Sequence, residues 1–287
     1  MKATIVGGAG RMGAWFARYF SSRGFPTAIT DVRGEEAREV ASAVGAELKG
    51  TNIGAAGDAD LVLISVPIPS VGKVVSEVAP HMREGAVLAE VSSVKETTVR
   101  ALREAAAFGV KPLSIHPLFG PAAESLKGKT IVVVPVIDGD AEAGLAERLF
   151  EGAEIVVSEQ EEHDRAMAVV LGLTHFMNLA FARVLSEADI ASLKRLAGTT
   201  FTVQLAVAEA VVSEEPGLVA SLLRENRHTS EYLDRFTAAA EMLRNLMTEG
   251  PEAFEGLYES LRASLGEDPD YHKADERRYR AFEALMD

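Results

Sequence analysis

The opening of the chain constrains it most. Ala3-Thr4-Ile5-Val6 is a short apolar strand, Gly8-Ala9-Gly10-Arg11-Met12-Gly13 follows at once, and residues 14–20 continue at helical period. A second apolar run, Thr27-Ala28-Ile29-Thr30, then delivers Asp31. Strand, glycine turn, helix and strand in this order predict a βαβ unit whose helix N-terminus is aimed at a phosphate. In that reading Gly8 permits the tight turn, Gly10 lets a pyrophosphate approach the backbone, and Gly13 lets the helix pack on the strand, with Ala9, Arg11 and Met12 completing the loop. A carboxylate at Asp31 accepts ribose hydroxyls and repels a 2′-phosphate, so the expected dinucleotide is NAD rather than NADP. Arg33 is the nearby group able to answer such a phosphate, and it reads as a solvated residue at the start of a helix over 34–44.

Strands and helices then alternate. Residues 60–67 and 86–91 are near-continuous apolar runs of the kind buried on both faces of a parallel sheet, and 112–115, 130–135 and 154–157 follow. Helical periods occupy 71–79, 95–107 and 141–150. This alternation predicts an α/β protein with a doubly wound, Rossmann-type N-terminal domain over residues 1–158. From 159 to 287 strand alternation is lost, and 161–185, 190–197, 202–212, 218–226, 230–248 and 251–265 read as helices. The expectation is an all-helical C-terminal domain whose apolar helices serve substrate binding and a homodimer. The charged stretch 268–287 reads as solvated helix ends or an arm to a partner.

Charge and composition narrow the function classes. Against 29 Lys and Arg stand 43 Asp and Glu, a formal −14, which repels nucleic-acid backbones and anionic lipid surfaces. A small anionic substrate stays possible, because salt screens a distant surface charge beyond about 10 Å. The absence of cysteine excludes thiol nucleophiles and thiolate metal sites, and no metal is expected. With neither a leader-like start nor a run of roughly 18 uninterrupted apolar residues, the expected location is cytoplasmic, without a membrane.

In a doubly wound sheet, ligands sit beyond the carboxyl ends of the strands. Ser65-Val66-Pro67, Ser92-Ser93 and His116 each follow such an end, so one fold rule brings three distant segments to the same crevice as the glycine loop. His116 stands at the exit of the strand over 112–115, braced by Pro117, Gly120 and Pro121. An imidazole there can take the proton of an alcohol whose carbon releases hydride to a neighbouring oxidised nicotinamide. Structural alternatives stand beside these readings: His116 as a turn cap, Ser92-Ser93 as the N-cap of the helix starting near Lys95, and His175 as an interior residue of an apolar helix.

The chain resembles the prephenate and arogenate dehydrogenase family across nearly its whole length. The resemblance is carried by residues 7–13, Glu90-Val91-Ser92-Ser93-Val94-Lys95, His116-Pro117-Leu118-Phe119-Gly120-Pro121, and Glu162-His163-Asp164-Arg165 leading to Gly172-Leu173-Thr174-His175-Phe176. It implies NAD-dependent oxidative decarboxylation of prephenate to 4-hydroxyphenylpyruvate in tyrosine biosynthesis. It also implies His116 as the catalytic histidine on the ring hydroxyl, Ser93 as its companion on substrate and nicotinamide, and His175 with Thr174 at the substrate's side chain. His163-Asp164 receives no chemistry from the sequence.

Departures from the family pattern matter as much. The substrate-carboxylate arginine expected six residues before Pro216 is Ala210, a second expected arginine is Thr202, and the polar residue after the Gly-Pro turn is Ala122. Lys194, Arg195, Arg224 and Arg227 are candidate replacements. Three alternatives follow: arogenate or a modified prephenate as substrate; a 3-hydroxyacid or imine substrate on the same frame, with His175 and Asn178 loosely matching a hydroxyacid site; or a non-catalytic NAD-binding homologue.

Overall fold

In the computed structural model, which describes residues 1–248 and 250–286, the chain forms two compact units. Unit 1 comprises Met1–Met167 with Arg224–Asn226, and unit 2 Ala168–Leu223 with Arg227–Asp287.

Unit 1 is built on β1 (Ala3–Val6), β2 (Thr27–Thr30), β3 (Glu47–Leu48), β4 (Leu61–Ile64), β5 (Val87–Glu90), β6 (Lys111–Pro117), β7 (Thr130–Val133) and β8 (Glu154–Val157). They form one sheet in the order β3-β2-β1-β4-β5-β6-β7-β8, and every neighbouring pair is parallel except β6 and β7. The chain leaves β1 in both directions, the doubly wound Rossmann-type arrangement with its switch point between β1 and β4. Both faces are covered. Leu61 and Leu63 of β4 enter one apolar cluster with Phe16, Phe20 and Phe150, while Val62 and Ile64 enter the other with Val71, Val75 and Leu102. All are essentially fully buried, each contributing about 1.5–3 kcal/mol relative to exposure.

Three expectations need correction here. The tight turn after β1 belongs to Gly7, at φ +85°, where a Cβ would lie 2.3 Å from the Ser65 carbonyl oxygen; Gly8 instead lies flat against the Ile29 side chain. Direction along β7 is reversed, because residues 118–129 return from β6 without the helix that a parallel crossover needs. That reversal also lengthens β6. Its ladder with β5 ends at Ser114 opposite Glu90, but Ile115, His116 and Pro117 go on to pair with Val133, Val132 and Ile131. His116 is therefore a strand residue, not a residue of the turn beyond one.

Unit 2 is helical among its described residues. The helix Gln160–Met167 at the end of unit 1 runs on as a π-helical segment, Ala168–Leu173, and then as the helix Thr174–Leu185. One regular helix was expected over 161–185. The wide turn falls where Gly172 meets Thr229, so closely that a Cβ would lie 2.9 Å from the threonine methyl. Helix Thr199–Val212 packs on Thr174–Leu185 through Gln204 Nε2 donating to Asn178 Oδ1 at 2.7 Å. The charged tail contains an exposed helix, Ala274–Ala284, that packs on Thr199–Val212, with Arg278 donating to Thr200 Oγ1 at 2.8 Å. Asp287, its last residue, lies outside the described residues.

Candidate active site

The carboxyl edge of the sheet carries the glycine loop, and the loop fits a dinucleotide. Helix Arg11–Ser22 begins at Gly10 with no side-chain cap and no acidic residue in its first turn, so its leading N–H groups remain free for phosphate. Gly13 is pressed so closely on Gly7 that a Cβ would lie 2.1 Å from its carbonyl oxygen, which brings the helix end onto the strand. Ser65 joins the sheet edge through its N–H to the Val6 carbonyl, and Val66 packs beside Gly7, with Pro67 exposed just beyond. Asp31 closes the rim: one carboxylate oxygen accepts the Ala9 N–H at 2.9 Å, and the other accepts the Arg33 N–H at 2.9 Å and its guanidinium at 3.3 Å. Ala9 and Met12 are half-buried in this loop, while Arg11 is exposed.

A dry polar cluster lies farther along the same edge. Glu90, the last residue of β5, is fully buried. Its Oε1 accepts from Lys95 Nζ at 2.6 Å and Ser114 Oγ at 2.5 Å, and its Oε2 accepts the Ser92 N–H at 2.8 Å. Lys95 is also fully buried, and donates to the Ile115 carbonyl at 2.7 Å, gripping β6 one residue before His116. Burial holds the Lys95 ammonium below its usual pKa range against the opposing pull of Glu90.

The next layer comes from helix Gln160–Met167. Asp164 accepts the backbone N–H groups of Lys95 at 2.9 Å and Glu96 at 3.0 Å, so it caps helix Glu96–Ala105 from a distant stretch of chain. Neither Ser92 nor Ser93 is that cap. Asp164 is further tied by Asn226 Nδ2, which donates to its carbonyl at 2.6 Å. Asp164 Oδ1 also lies 3.0 Å from His163 Nδ1, and His163 Nε2 lies 3.0 Å from His116 Nδ1. The two imidazoles meet edge to face at 5.2 Å, and His116, His163 and Asp164 are 5%, 2% and 3% exposed. Burial, then the charges of Lys95 and His163, push the His116 pKa well below the usual imidazole value, so this ring is neutral around pH 7. Ser93, half-buried, sits on the loop that these bonds pin, and its hydroxyl has no hydrogen bond among the described residues.

His116 therefore belongs to a buried network, with Ser93 on the adjoining loop but not bonded into it, and Glu90, Lys95, His163 and Asp164 are members that sequence reading left without a role. A signal existed for two of them: a carboxylate ending an apolar strand, with a lysine five residues on, cannot be buried unless they pair.

In unit 2, His175 is buried on helix Thr174–Leu185, with Nδ1 at 2.7 Å from the Leu171 carbonyl. Its Nε2 has no hydrogen-bond partner and lies 3.5 Å from a Glu214 carboxylate oxygen. Thr174 Oγ1 turns back to the Val169 carbonyl at 3.2 Å. Asn178 is engaged at both ends of its amide, donating to the Thr174 carbonyl at 2.8 Å and accepting from Gln204 at 2.7 Å. Among the cations considered for Ala210, Lys194 pairs with Glu209 at 2.9 Å on the surface, and Arg195 donates to Ser192.

Two family models match the chain: "Prephenate dehydrogenase, nucleotide-binding domain" over residues 16–159 and "Prephenate dehydrogenase, dimerization domain" over 159–263. A probable arogenate/prephenate dehydrogenase of Methanocaldococcus jannaschii is 31% identical over 258 residues, 86% of this chain; the chain spans 58% of that protein's length. A 4-amino-4-deoxyprephenate dehydrogenase of Streptomyces pristinaespiralis is 29% identical over 93% of this chain and 92% of its own. The fold superimposes on the crystal structure of Aquifex aeolicus prephenate dehydrogenase in complex with hydroxyphenyl propionate and NAD+, with a TM-score of 0.73 at 20% identity, covering 92% of this chain and 96% of that one. By the two family models, which together match residues 16–263, the chain belongs to the prephenate dehydrogenase family.

Proposed function

We propose that this protein oxidises prephenate to 4-hydroxyphenylpyruvate with loss of carbon dioxide, using NAD. The observation that carries the reading is His116: a buried, neutral imidazole on the carboxyl edge that also bears the glycine loop, with no hydrogen bond on its Nε2 among the described residues. The uncapped first-turn N–H groups of helix Arg11–Ser22 and the Asp31 carboxylate suit a pyrophosphate and an unphosphorylated ribose. NAD, when bound, supplies the hydride acceptor. His116 holds the carbinol proton while the C–H electron pair leaves. It returns that proton to the phenolate oxygen formed once the ring carboxylate departs, so no net proton is released. Ser93 is the companion hydroxyl to the substrate alcohol, and His175 and Thr174 contact the substrate's side chain. In this reading residues 1–158 serve the cofactor and 159–287 the substrate side and the dimer, in a cytoplasmic enzyme.

A homodimer suits unit 2. Val184 is 74% exposed and Leu196 87%, and the run Gln160–Leu185, by length and composition apolar enough to cross a membrane, has only 22% of its most apolar window buried. A second copy of the chain, joined through the region matching the dimerization domain, covers that surface.

The test is turnover of the purified protein with NAD and, in turn, prephenate, arogenate and a set of 3-hydroxyacids, following reduced nicotinamide. Expected is turnover of a cyclohexadiene alone, with His116→Asn lowering kcat by about 10² or more while NAD binding persists. Turnover only of 3-hydroxyacids, or an unchanged kcat in the variant, overturns the reading.

One observation favours arogenate as a second reading. The Leu171 carbonyl only accepts, so His175 Nδ1 carries a proton, and Nε2, without a hydrogen-bond partner, faces the Glu214 carboxylate at 3.5 Å. The Glu214 carboxylate, with Ala210 where the family's arginine is expected, suits a side-chain ammonium better than a keto acid. Glu214→Gln then lowers kcat/KM for arogenate about tenfold and spares prephenate. Equal effects on both substrates remove this reading.

A further inference from the structure

We propose that His163 and Asp164 are positioning residues that hold His116 in the tautomer with a bare Nε2 and take up the charge that His116 acquires during turnover. The proposal rests on His116 being the acceptor of the carbinol proton, as read above.

Hydrogen-bond polarity leads from one end of the chain to the other. Asp164 already accepts two backbone N–H groups, Lys95 on Oδ1 and Glu96 on Oδ2, so both of its oxygens act as acceptors. A carboxylate only accepts, so the His163 nitrogen facing it, Nδ1, carries a proton. A neutral His163 then has a lone pair on Nε2. The atom facing that lone pair is His116 Nδ1, at 3.0 Å, which therefore carries the proton of a neutral His116. What remains is a bare His116 Nε2, the atom a general base needs.

The other groups around the pair do not disturb this polarity. Lys95 Nζ is committed to Glu90 and the Ile115 carbonyl, and Ser114 Oγ to Glu90. The charged side chains bonded within this cluster are Asp164, Lys95 and Glu90, and the Lys95–Glu90 pair is internally neutral. The relay thus has one uncompensated charge, the Asp164 carboxylate, at the end farthest from the reacting atom.

During turnover the carbinol O–H bond breaks and its proton forms a bond to His116 Nε2, while the C–H pair leaves as hydride to the oxidised nicotinamide. The resulting imidazolium donates through Nδ1 to His163 Nε2, and positive charge spreads toward Asp164 instead of facing Lys95 alone. When the ring carboxylate is lost, the phenolate oxygen takes the proton back from Nε2 and the relay returns to its starting state.

Asp164→Asn is the sharpest test: asparagine keeps a helix-capping oxygen, and with that oxygen on the Glu96 N–H its amide N–H takes the place of Oδ1, giving up the Lys95 N–H and facing His163 with a donor. The polarity then reverses through both rings and puts a proton on His116 Nε2. Expected is a kcat loss of about 10²–10⁴ with KM little changed, the order seen when a buried carboxylate–histidine pair loses its tautomer. His163→Gln, which keeps an acceptor near His116 Nδ1 but breaks the link to Asp164, should lose less, about tenfold, and shift the acid limb of the kcat profile.

Nitrogen NMR of histidine-labelled protein at neutral pH, without cofactor or substrate, reads the tautomer directly. His116 Nε2 should be unprotonated in the wild type and protonated in Asp164→Asn. A protonated Nε2 in the wild type overturns the proposal, as does full kcat in a folded Asp164→Asn with inverted tautomer. A wild type with the expected tautomer but no cyclohexadiene turnover sinks the proposed reaction instead, so the two failures are distinguishable.

Discussion

At the residue scale, two side chains carry separable consequences. Asp31 bonds both to the glycine loop and to Arg33, so the carboxylate that favours an unphosphorylated ribose also restrains the guanidinium that could hold a 2′-phosphate. Asp31→Ala removes the repulsion and frees Arg33 together, and the NADP-to-NAD ratio of kcat/KM should rise by about 10- to 100-fold, the worth of a charged hydrogen bond; a wild type that already prefers NADP contradicts this. His116 predicts a pH effect on stability. Its folded pKa is depressed, chiefly by burial, so the unfolded chain binds the proton first as pH falls through about 6.5. The stability it contributes is complete above that pH and is lost progressively below it. Denaturation curves at stepwise lower pH should show this decline in the wild type and a shallower one in His116→Asn; identical slopes refute it.

At the element scale, the carboxyl end of β6 is held by groups from three other elements: Glu90 of β5, Lys95 before helix Glu96–Ala105, and His163 with Asp164 on helix Gln160–Met167. Lys95→Met leaves Glu90 buried without its cation and should cost about 3–5 kcal/mol in chemical denaturation. Adding Glu90→Gln should restore part of that loss, because the penalty is for the orphaned charge rather than for the missing contact. A single variant as stable as the wild type would mean the pair is not buried in solution. The strands other than the two-residue β3, the first helix and Asp31 were legible from apolar period and glycine spacing. The reach of β6 through His116 was not, since apolar period says nothing about which neighbour a strand acquires past the end of β5.

At the scale of the whole molecule, the exposed apolar residues of unit 2 and its match to a dimerization domain lead to an association prediction. Sedimentation equilibrium should return twice the mass of one chain, and Val184→Asp should shift the equilibrium toward monomer with NAD binding retained. A wild type that sediments as a monomer at all accessible concentrations removes the dimer.

What the sequence by itself determined is whatever local physics dictates: a strand–glycine–helix unit, buried parallel strands, a helical second half, and a histidine near a strand end. It was enough for family and cofactor because those reside in consecutive residues. Only the tertiary structure decided how that histidine is held. The Glu90–Lys95 pair, His116 and Asp164 come from three separate stretches of the chain, and neither His116 nor Asp164 shows from its own neighbours whether it will lose water. Removed from solvent together, they must satisfy one another's hydrogen bonds, and that shared requirement, absent from any single stretch of sequence, fixes where the protons reside.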